Sequence, residues 1–479
     1  MVNKEETDLL AKNQFQNGSS ERSPFLAEPV RLTPAWEANN LPNDELNFKS
    51  MTMERVRMEM SPPVDRWKLV FLTFVLHGLG TLMPWNMFIT AKSYFVDFKL
   101  GPEYTGMSGD NLEYAKYFMN YVGFAAQIPN LLFNWLNIFV KIGGNLTTRI
   151  VWSIFIEIVI FIITVVLAMS DSSNWPAQFF WVTMISVVIL NMANGIYQNT
   201  VYGMAATLPF KYTGAVVLGS NVSGLFTTII SIISTEFASS DRTAAIYYFI
   251  TAMFVLLVCF DTYFALPLNR FFKYHEMLNE KEAEKETKSA SNDVPYGQVF
   301  RKSFPQLFNV FFVFFVTLSV FPAVHSDIKL NLDDSTWFPV PEKYFVSITC
   351  FLTFNLFAML GSLATSWVNW PKPKYLVWPV VLRVVFMPLF LLCNYHPLNT
   401  ERALPVLITS NWAYWVIAII MSFSSGYLSS LGMMYAPQTV TPKYASTAGM
   451  FAAAMLITGI FSGIAFSTLF PLLVNVIGW

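Results

Sequence analysis

The chain has 479 residues, 54% hydrophobic, 16% aromatic and only 13% charged. A soluble domain carries roughly 25% charged residues, so this composition cannot furnish the polar surface of a water-soluble fold. Its 30 basic and 31 acidic residues leave a net charge of −1, which gives no footing for a nucleic-acid partner.

In chain order, residues 1–65 come first: polar, rich in Asn, Glu, Ser and Pro, and without helical period. They are expected to be a disordered cytoplasmic tail, with no signal peptide because no short apolar region sits near Met1. Within the tail, Glu5-Glu-Thr-Asp-Leu9-Leu10 fits an acidic dileucine pattern, the kind of peptide that a sorting adaptor reads. That points to endosomal or lysosomal membranes as an alternative to the plasma membrane.

Eleven apolar runs follow, at about 67–90, 117–139, 147–169, 177–203, 213–235, 243–266, 304–324, 343–367, 375–395, 410–435 and 445–474. Each approaches the ~20 helical residues that span a ~30 Å hydrocarbon core. In lipid a backbone must satisfy its own polar groups, so the runs are helices. The expected fold is therefore all-α and integral to the membrane, with eleven helices in a 6+5 arrangement. A six-helix bundle at 66–268 is joined by a cytoplasmic loop at 269–303 to a five-helix bundle at 304–479. With the tail in the cytoplasm, 17 Lys and Arg fall on that side against 7 on the other, the bias of cytoplasmic loops. The sequons at Asn17 and Asn145 are then cytoplasmic and unmodified. The charged run at 279–288 reads as a solvated helix or linker face.

The first run contains His77-Gly-Leu-Gly-Thr-Leu-Met-Pro-Trp-Asn-Met-Phe-Ile-Thr90. Its two glycines and proline weaken the helix and free a carbonyl, which is tolerated where backbone faces protein or a watery cavity. Trp85 and Asn86 sit beside the break. A planar heterocycle fits such a pair by stacking and hydrogen bonding; a kinked helix with an interfacial Trp is the structural alternative. Ionisable groups inside the runs are His77, Glu157, Asp261 and Arg383, functional candidates by location. Pairing between helices and snorkelling are the alternatives. Glu157 is also a candidate for proton coupling, but one isolated acid is a slender basis, so uncoupled transport is expected. Gly459 and Gly463 form a small-xxx-small pair suited to close helix packing. Cys259, Cys350 and Cys393 all lie in apolar runs and make no zinc spacing or disulfide framework. No nucleophile–base pair, phosphate loop or ring of charges supports an enzyme or a channel, and no cofactor or metal is expected.

The stretch Gly78 to Thr90 resembles the first-helix signature of the equilibrative nucleoside transporter family. Similar segments recur in order: Tyr202-Gly-Met with Leu208-Pro, Phe321-Pro-Ala, Phe351 to Phe357, Arg383 with Pro388 to Asn394, Gly426-Tyr-Leu-Ser-Ser-Leu, and Thr447-Ala-Gly. The resemblance implies a major-facilitator-like fold, with two bundles that alternate in access and move nucleosides or nucleobases down their gradient. It places substrate-facing residues at Leu82, Trp85, Gln127 and Gln198, with Trp85 against the base and Gln198 on its edge. It also puts Arg383 near an inner gate.

One departure matters. The family holds the ribose hydroxyls with an Asp and, four residues later, an Arg; here those positions are Ala358 and Ser362. Hydrogen bonds to charged groups contribute ~1.5–3 kcal/mol each, so weaker or altered ribose recognition follows. The alternatives are then a carrier of another small heterocycle, or a transporter-like receptor or regulatory protein with little flux. A monomer is expected.

Overall fold

The computed structural model describes residues 62–91, 94–106, 118–140, 145–238, 240–287, 294–332, 337–397 and 402–476. The dileucine residues Glu5, Leu9 and Leu10, and the rest of the tail up to residue 61, lie outside them.

The long helices are α1 (Leu69–Thr90), α2 (Phe118–Val140), α3 (Leu146–Met169), α4 (Pro176–Ala205), α5 (Lys211–Phe237) and α6 (Asp241–Ala265). A linker helix, Arg270–Thr287, precedes α7 (Tyr296–Val320). Then come α8 (Ser347–Ala364, opening with a π turn), α9 in three pieces (Val377–Leu382, Arg383–Val385 and Phe386–Leu391), α10 (Asn411–Tyr435) and α11 (Pro442–Ser467). Among the described residues, ten helices are long and apolar enough to cross a membrane. The helix left out is α2. Its 23 residues would reach across, but Asn120, Gln127, Asn130, Asn134 and Asn137 dilute its hydropathy.

The structure shows where several of those amides go. Asn134 donates to Asn130 Oδ1 at 2.9 Å; Asn137 donates to Asn199 Oδ1 at 2.9 Å and Thr200 Oγ1 at 3.1 Å, and accepts from Arg149 at 3.2 Å. A helix can carry this many amides in hydrocarbon when neighbours take their hydrogen bonds. The outer faces are the reverse. Trp152, Phe155, Ile162 and Val166 on α3 and Phe254 and Leu257 on α6 are exposed. Apolar side chains facing outward over whole helices mean that the surrounding medium is lipid.

Two sequence expectations are revised in detail. Helix α7 starts at Tyr296, earlier than the expected 304, and much of the central loop is helical. The first half of the linker helix packs on the bundle: Phe271 and Met277 are buried, and Asn279 Nδ2 donates to Thr207 O at 3.0 Å, just beyond the end of α4. The ends of the bundle nearest this helix are called the linker side below.

Helices α1 and α5 lie along one another, as do α2 with α4, α3 with α6, α8 with α10, and α7 with α11. The α1–α5 contact is backbone to backbone. A Cβ built on Gly219 would lie 1.9 Å from the carbonyl oxygen of Val75, and one on Gly78 would lie 2.1 Å from that of Val216. Its linker end is tied by Asp65. Trp67 and Lys68 adopt φ of 59° and 53°, and the carboxylate of Asp65 accepts from Val70 N and Phe71 N at 3.1 Å each and from Tyr212 Oη at 3.0 Å. One acid thus satisfies two free amides of the first turn of α1 and fastens it to α5. On the far side, Arg402 donates to the carbonyls of Leu391, Cys393, Tyr395, Leu404 and Pro405, holding together the chain between α9 and α10.

Gly219→Ala should lower the melting temperature of detergent-purified protein, since added volume in a packed contact costs about 1–3 kcal/mol. Gly123→Ala on α2, where a Cβ would meet nothing within 4 Å, should leave it unchanged or raised. Equal effects would contradict the close approach.

Candidate functional site

The site grows from α1. Pro84 interrupts the helix one turn after Gly80, and a proline there removes the hydrogen bond that the Gly80 carbonyl would accept. Leu82, Trp85 and Asn86 follow on partly exposed faces. Trp85 packs against the buried core, while Asn86 Nδ2 donates to Ser223 Oγ on α5 at 3.2 Å and its carbonyl accepts from Tyr248 Oη at 3.4 Å. Asn86 is therefore tied to α5 and α6.

Helix α4 supplies a second wall. Asn194, Gln198 and Tyr202 recur at intervals of four and share a face. All three are buried. The Tyr202 hydroxyl is within hydrogen-bonding reach of Ser220 on α5, but neither amide atom of Asn194 or Gln198 has a protein hydrogen-bond partner. Gln127 Oε1 on α2 and Asn309 Oδ1 on α7 are in the same condition. The adjoining faces of α4 behave differently: Asn199 Nδ2 donates to Met450 O at 2.8 Å, and Tyr197 Oη lies 2.7 Å from His77 Nδ1. A buried polar group left unpaired costs about 1–3 kcal/mol. A ladder of them on one face is a surface suited to a polar solute or bridging water. Asn194 and Tyr202 were not read as site residues from sequence, although the four-residue spacing with Gln198 was there to see.

The third wall is where the family's charges are missing. Ala358 and Ser362 are both buried against α10. A Cβ on Gly426 would sit 1.8 Å from Ala358 O, and one on Gly361 would sit 2.2 Å from Phe423 O, so α8 and α10 touch through backbone. Ser362 Oγ donates to Gly426 O at 3.1 Å and accepts from Asn221 Nδ2 on α5 at 2.6 Å. Ser362 is thus part of a three-helix joint, and its hydroxyl proton is committed.

The remaining candidates lie elsewhere. Arg383 Nη1 donates to Met421 O at 3.2 Å and Ser424 Oγ at 2.6 Å, and Nη2 to Thr317 Oγ1 at 2.7 Å. It pins α7, α9 and α10 together. Glu157 on α3 is fully buried, with no partner for either carboxylate oxygen, in the neighbourhood of Tyr197 and Cys259 rather than of Gln198's amide ladder. Asp261 is exposed near the linker end of α6.

On the linker side the helices close on one another. A Cβ on Gly449 of α11 would lie 2.5 Å from Ala206 Cβ and 2.8 Å from Tyr202 O; one on Gly203 of α4 would lie 2.7 Å from Met450 Cε; and one on Gly214 of α5 would lie 2.8 Å from Met434 Sδ of α10. Trp135 Nε1 donates to Thr458 Oγ1 at 3.0 Å, joining α2 to α11. Beneath these contacts the linker helix borders a cavity of about 360 Å³, lined among others by Leu146, Met204, Tyr263, Phe272, Glu276 and Asn279.

A family model described as "Nucleoside transporter" matches residues 184–472. Human equilibrative nucleoside transporter 1 is 32% identical over 459 residues, covering 86% of this chain and 99% of that protein. This chain belongs to the equilibrative nucleoside transporter family. Human equilibrative nucleoside transporter 2 is 31% identical, covering 86% of this chain and 98% of the relative, and rat equilibrative nucleoside transporter 3 is 28% identical, covering 85% and 90%. Among solved structures, the major-facilitator proton:xylose symporter XylE bound to 6-bromo-6-deoxy-D-glucose superposes with a TM-score of 0.51 at 10% identity, covering 85% of this chain and 94% of that one. That likeness establishes the major-facilitator-like fold of a multi-pass membrane protein.

Within an equilibrative nucleoside transporter, unpaired amides should cost stability rather than provide it. Gln198→Leu, and separately Asn194→Leu, should therefore leave the melting temperature of the purified protein unchanged or raise it. A drop of several degrees would show instead that these amides hold the fold.

Proposed function

We propose that the protein is a facilitative carrier that moves nucleosides, with nucleobases as further substrates, across a membrane by alternating access. The two moving bodies are residues 66–268 and 304–479, joined by the linker at 269–303. The proposal rests foremost on the buried, unpaired amides of Asn194 and Gln198 on one face of α4, with Gln127 Oε1 and Asn309 Oδ1 likewise left unpaired in the interior. A purine or pyrimidine offers a π face and an edge of donors and acceptors. Trp85 stacks on the face, while Gln198, which can both donate and accept, reads the edge. Leu82 closes the apolar side. Membership of a family of carriers places the chain with transporters rather than enzymes.

Alternating access fits the contacts. The linker side is closed by α4 on α11 and α5 on α10, and these are the contacts that must part when the site opens that way. The linker side is the cytoplasmic side in this reading, by the excess of Lys and Arg there. We place the mature protein at the plasma membrane, with delivery to endosomal or lysosomal membranes by the Glu5–Leu9–Leu10 sequence as the alternative, and take the carrier to act as a monomer.

One observation favours a broader substrate range: at Ala358 and Ser362 the third wall of the site is uncharged. Loss of two charge-assisted hydrogen bonds should narrow the preference for nucleoside over free base.

The test is uptake of labelled uridine, adenosine, uracil and adenine into liposomes containing purified protein. Saturable, gradient-limited flux is expected, and Gln198→Leu should weaken it by about tenfold, the value of one or two neutral hydrogen bonds. No saturable flux of any of the four from folded protein would contradict the carrier reading and favour a receptor-like role.

A further inference from the structure

The α5 face that meets α8 carries a residue which the family resemblance did not single out. Asn221 is half-buried. Its Nδ2 is anchored twice, to Ser362 Oγ at 2.6 Å and to Val217 O at 3.1 Å, which fixes the plane and direction of the carboxamide. Both recorded hydrogen bonds use the nitrogen. Oδ1 has no protein partner, and it is not among the buried unpaired atoms, so it opens onto accessible space.

Its setting lies between the two halves of the molecule. One side of α5 is filled by α1 through Val216, Gly219 and Ser220. The other side, with Gly214, Asn221 and Gly224, faces α10 and α8. One turn beyond Asn221, a Cβ on Gly224 would lie 2.1 Å from Asn355 Oδ1, so the absence of a side chain there admits the Asn355 amide against α5. Asn355 is also half-buried. The same stretch of α5 holds Asn86 through Ser223. Helix α5 thus carries Asn221 beside α8 within one turn of the serine that positions the base-facing amide of α1.

We propose that Asn221 is a specificity-determining residue that receives the sugar hydroxyls of a nucleoside on its Oδ1, in place of a charged pair on α8. Ser362 is largely committed, its proton going to Gly426 O and one of its two lone pairs to Asn221. It acts as a positioning residue, aiming the carboxamide. A hydroxyl donates to a carboxamide oxygen as it does to water, without the desolvation of a buried charge. The grip is correspondingly lighter, and a solute lacking hydroxyls is not repelled by an uncompensated ion. The inference rests on the nucleoside-carrier reading above and extends it to the sugar.

The experiment compares uridine, 2′,3′-dideoxyuridine and uracil in proteoliposomes containing the wild type, Asn221→Ala or Asn221→Asp. Asn221→Ala should raise KM for uridine by about three- to tenfold, the value of a neutral hydrogen bond, and leave dideoxyuridine and uracil unchanged. Asn221→Asp, which keeps an acceptor oxygen but loses the nitrogen that Ser362 Oγ and Val217 O hold in place, should raise KM for uridine relative to both analogues. A parallel loss for all three solutes in either variant would overturn the proposal and reduce Asn221 to a helix joint, and so would no change in any. If Asn221→Ala does not fold, the Asn221→Asp ratio decides alone. Saturable uridine uptake by the wild type with an unaltered ratio in the variants sinks the Asn221 assignment and leaves the carrier reading standing. Absence of wild-type uptake sinks both.

Discussion

A polar side chain on a helix in lipid must find its partner inside the protein, and the rest of this structure can be read from which ones do. Asn137 meets Asn199, Thr200 and Arg149; Arg383 meets Thr317, Ser424 and the Met421 carbonyl; Asp65 meets two amides and a phenol. These paired groups lie at helix junctions and hold them. A second set is left unpaired on shared faces, and it is this set that gives the interior a use. The distinction runs through single helices. On α4 Asn199 is paired while its neighbour Gln198 is left without a protein partner.

The same economy explains the glycines. Where α1 meets α5 and where α8 meets α10, backbone touches backbone, leaving no room for even a methyl group. Such contacts are made by shape and not by strong bonds, which suits surfaces that stay rigid within each half. The contacts across the halves on the linker side include the hydrogen bonds from Asn199 to Met450 O and from Trp135 to Thr458, the close approach at Gly449, and methionine packing at Gly203 and Gly214. Methionine is flexible and adapts to altered surroundings, so these contacts can be broken and remade at small cost.

Much of this was legible in the sequence. Runs of ~20 apolar residues gave helix positions to within a few residues because the length of a membrane helix is set by the bilayer and not by tertiary packing. The exceptions have physical reasons. Helix α2 was found at 117–139 despite its amides, whereas α7 extends back to Tyr296 through a polar stretch, Tyr296 to Ser303, that carries no apolar run. The substrate wall on α1 was visible because Pro84, Trp85 and Asn86 are adjacent. The role of Asn221 was hidden. Nothing in the local pattern of α5 shows that it reaches Ser362, 141 positions away, and only the packing of α5 on α8 brings them together. Glu157, read from sequence as a membrane acid, lies near Tyr197 and Cys259.

The central claim is that the linker-side contacts between the halves open and close during transport. The direct measurement is a reversible crosslink between Gly214→Cys on α5 and Met434→Cys on α10, where the two helices meet. The three native cysteines are buried and should not compete. Mild oxidation should abolish uptake of labelled uridine in proteoliposomes, and reduction should restore it. Full uptake by the crosslinked carrier would show that these helices never part and would contradict the account.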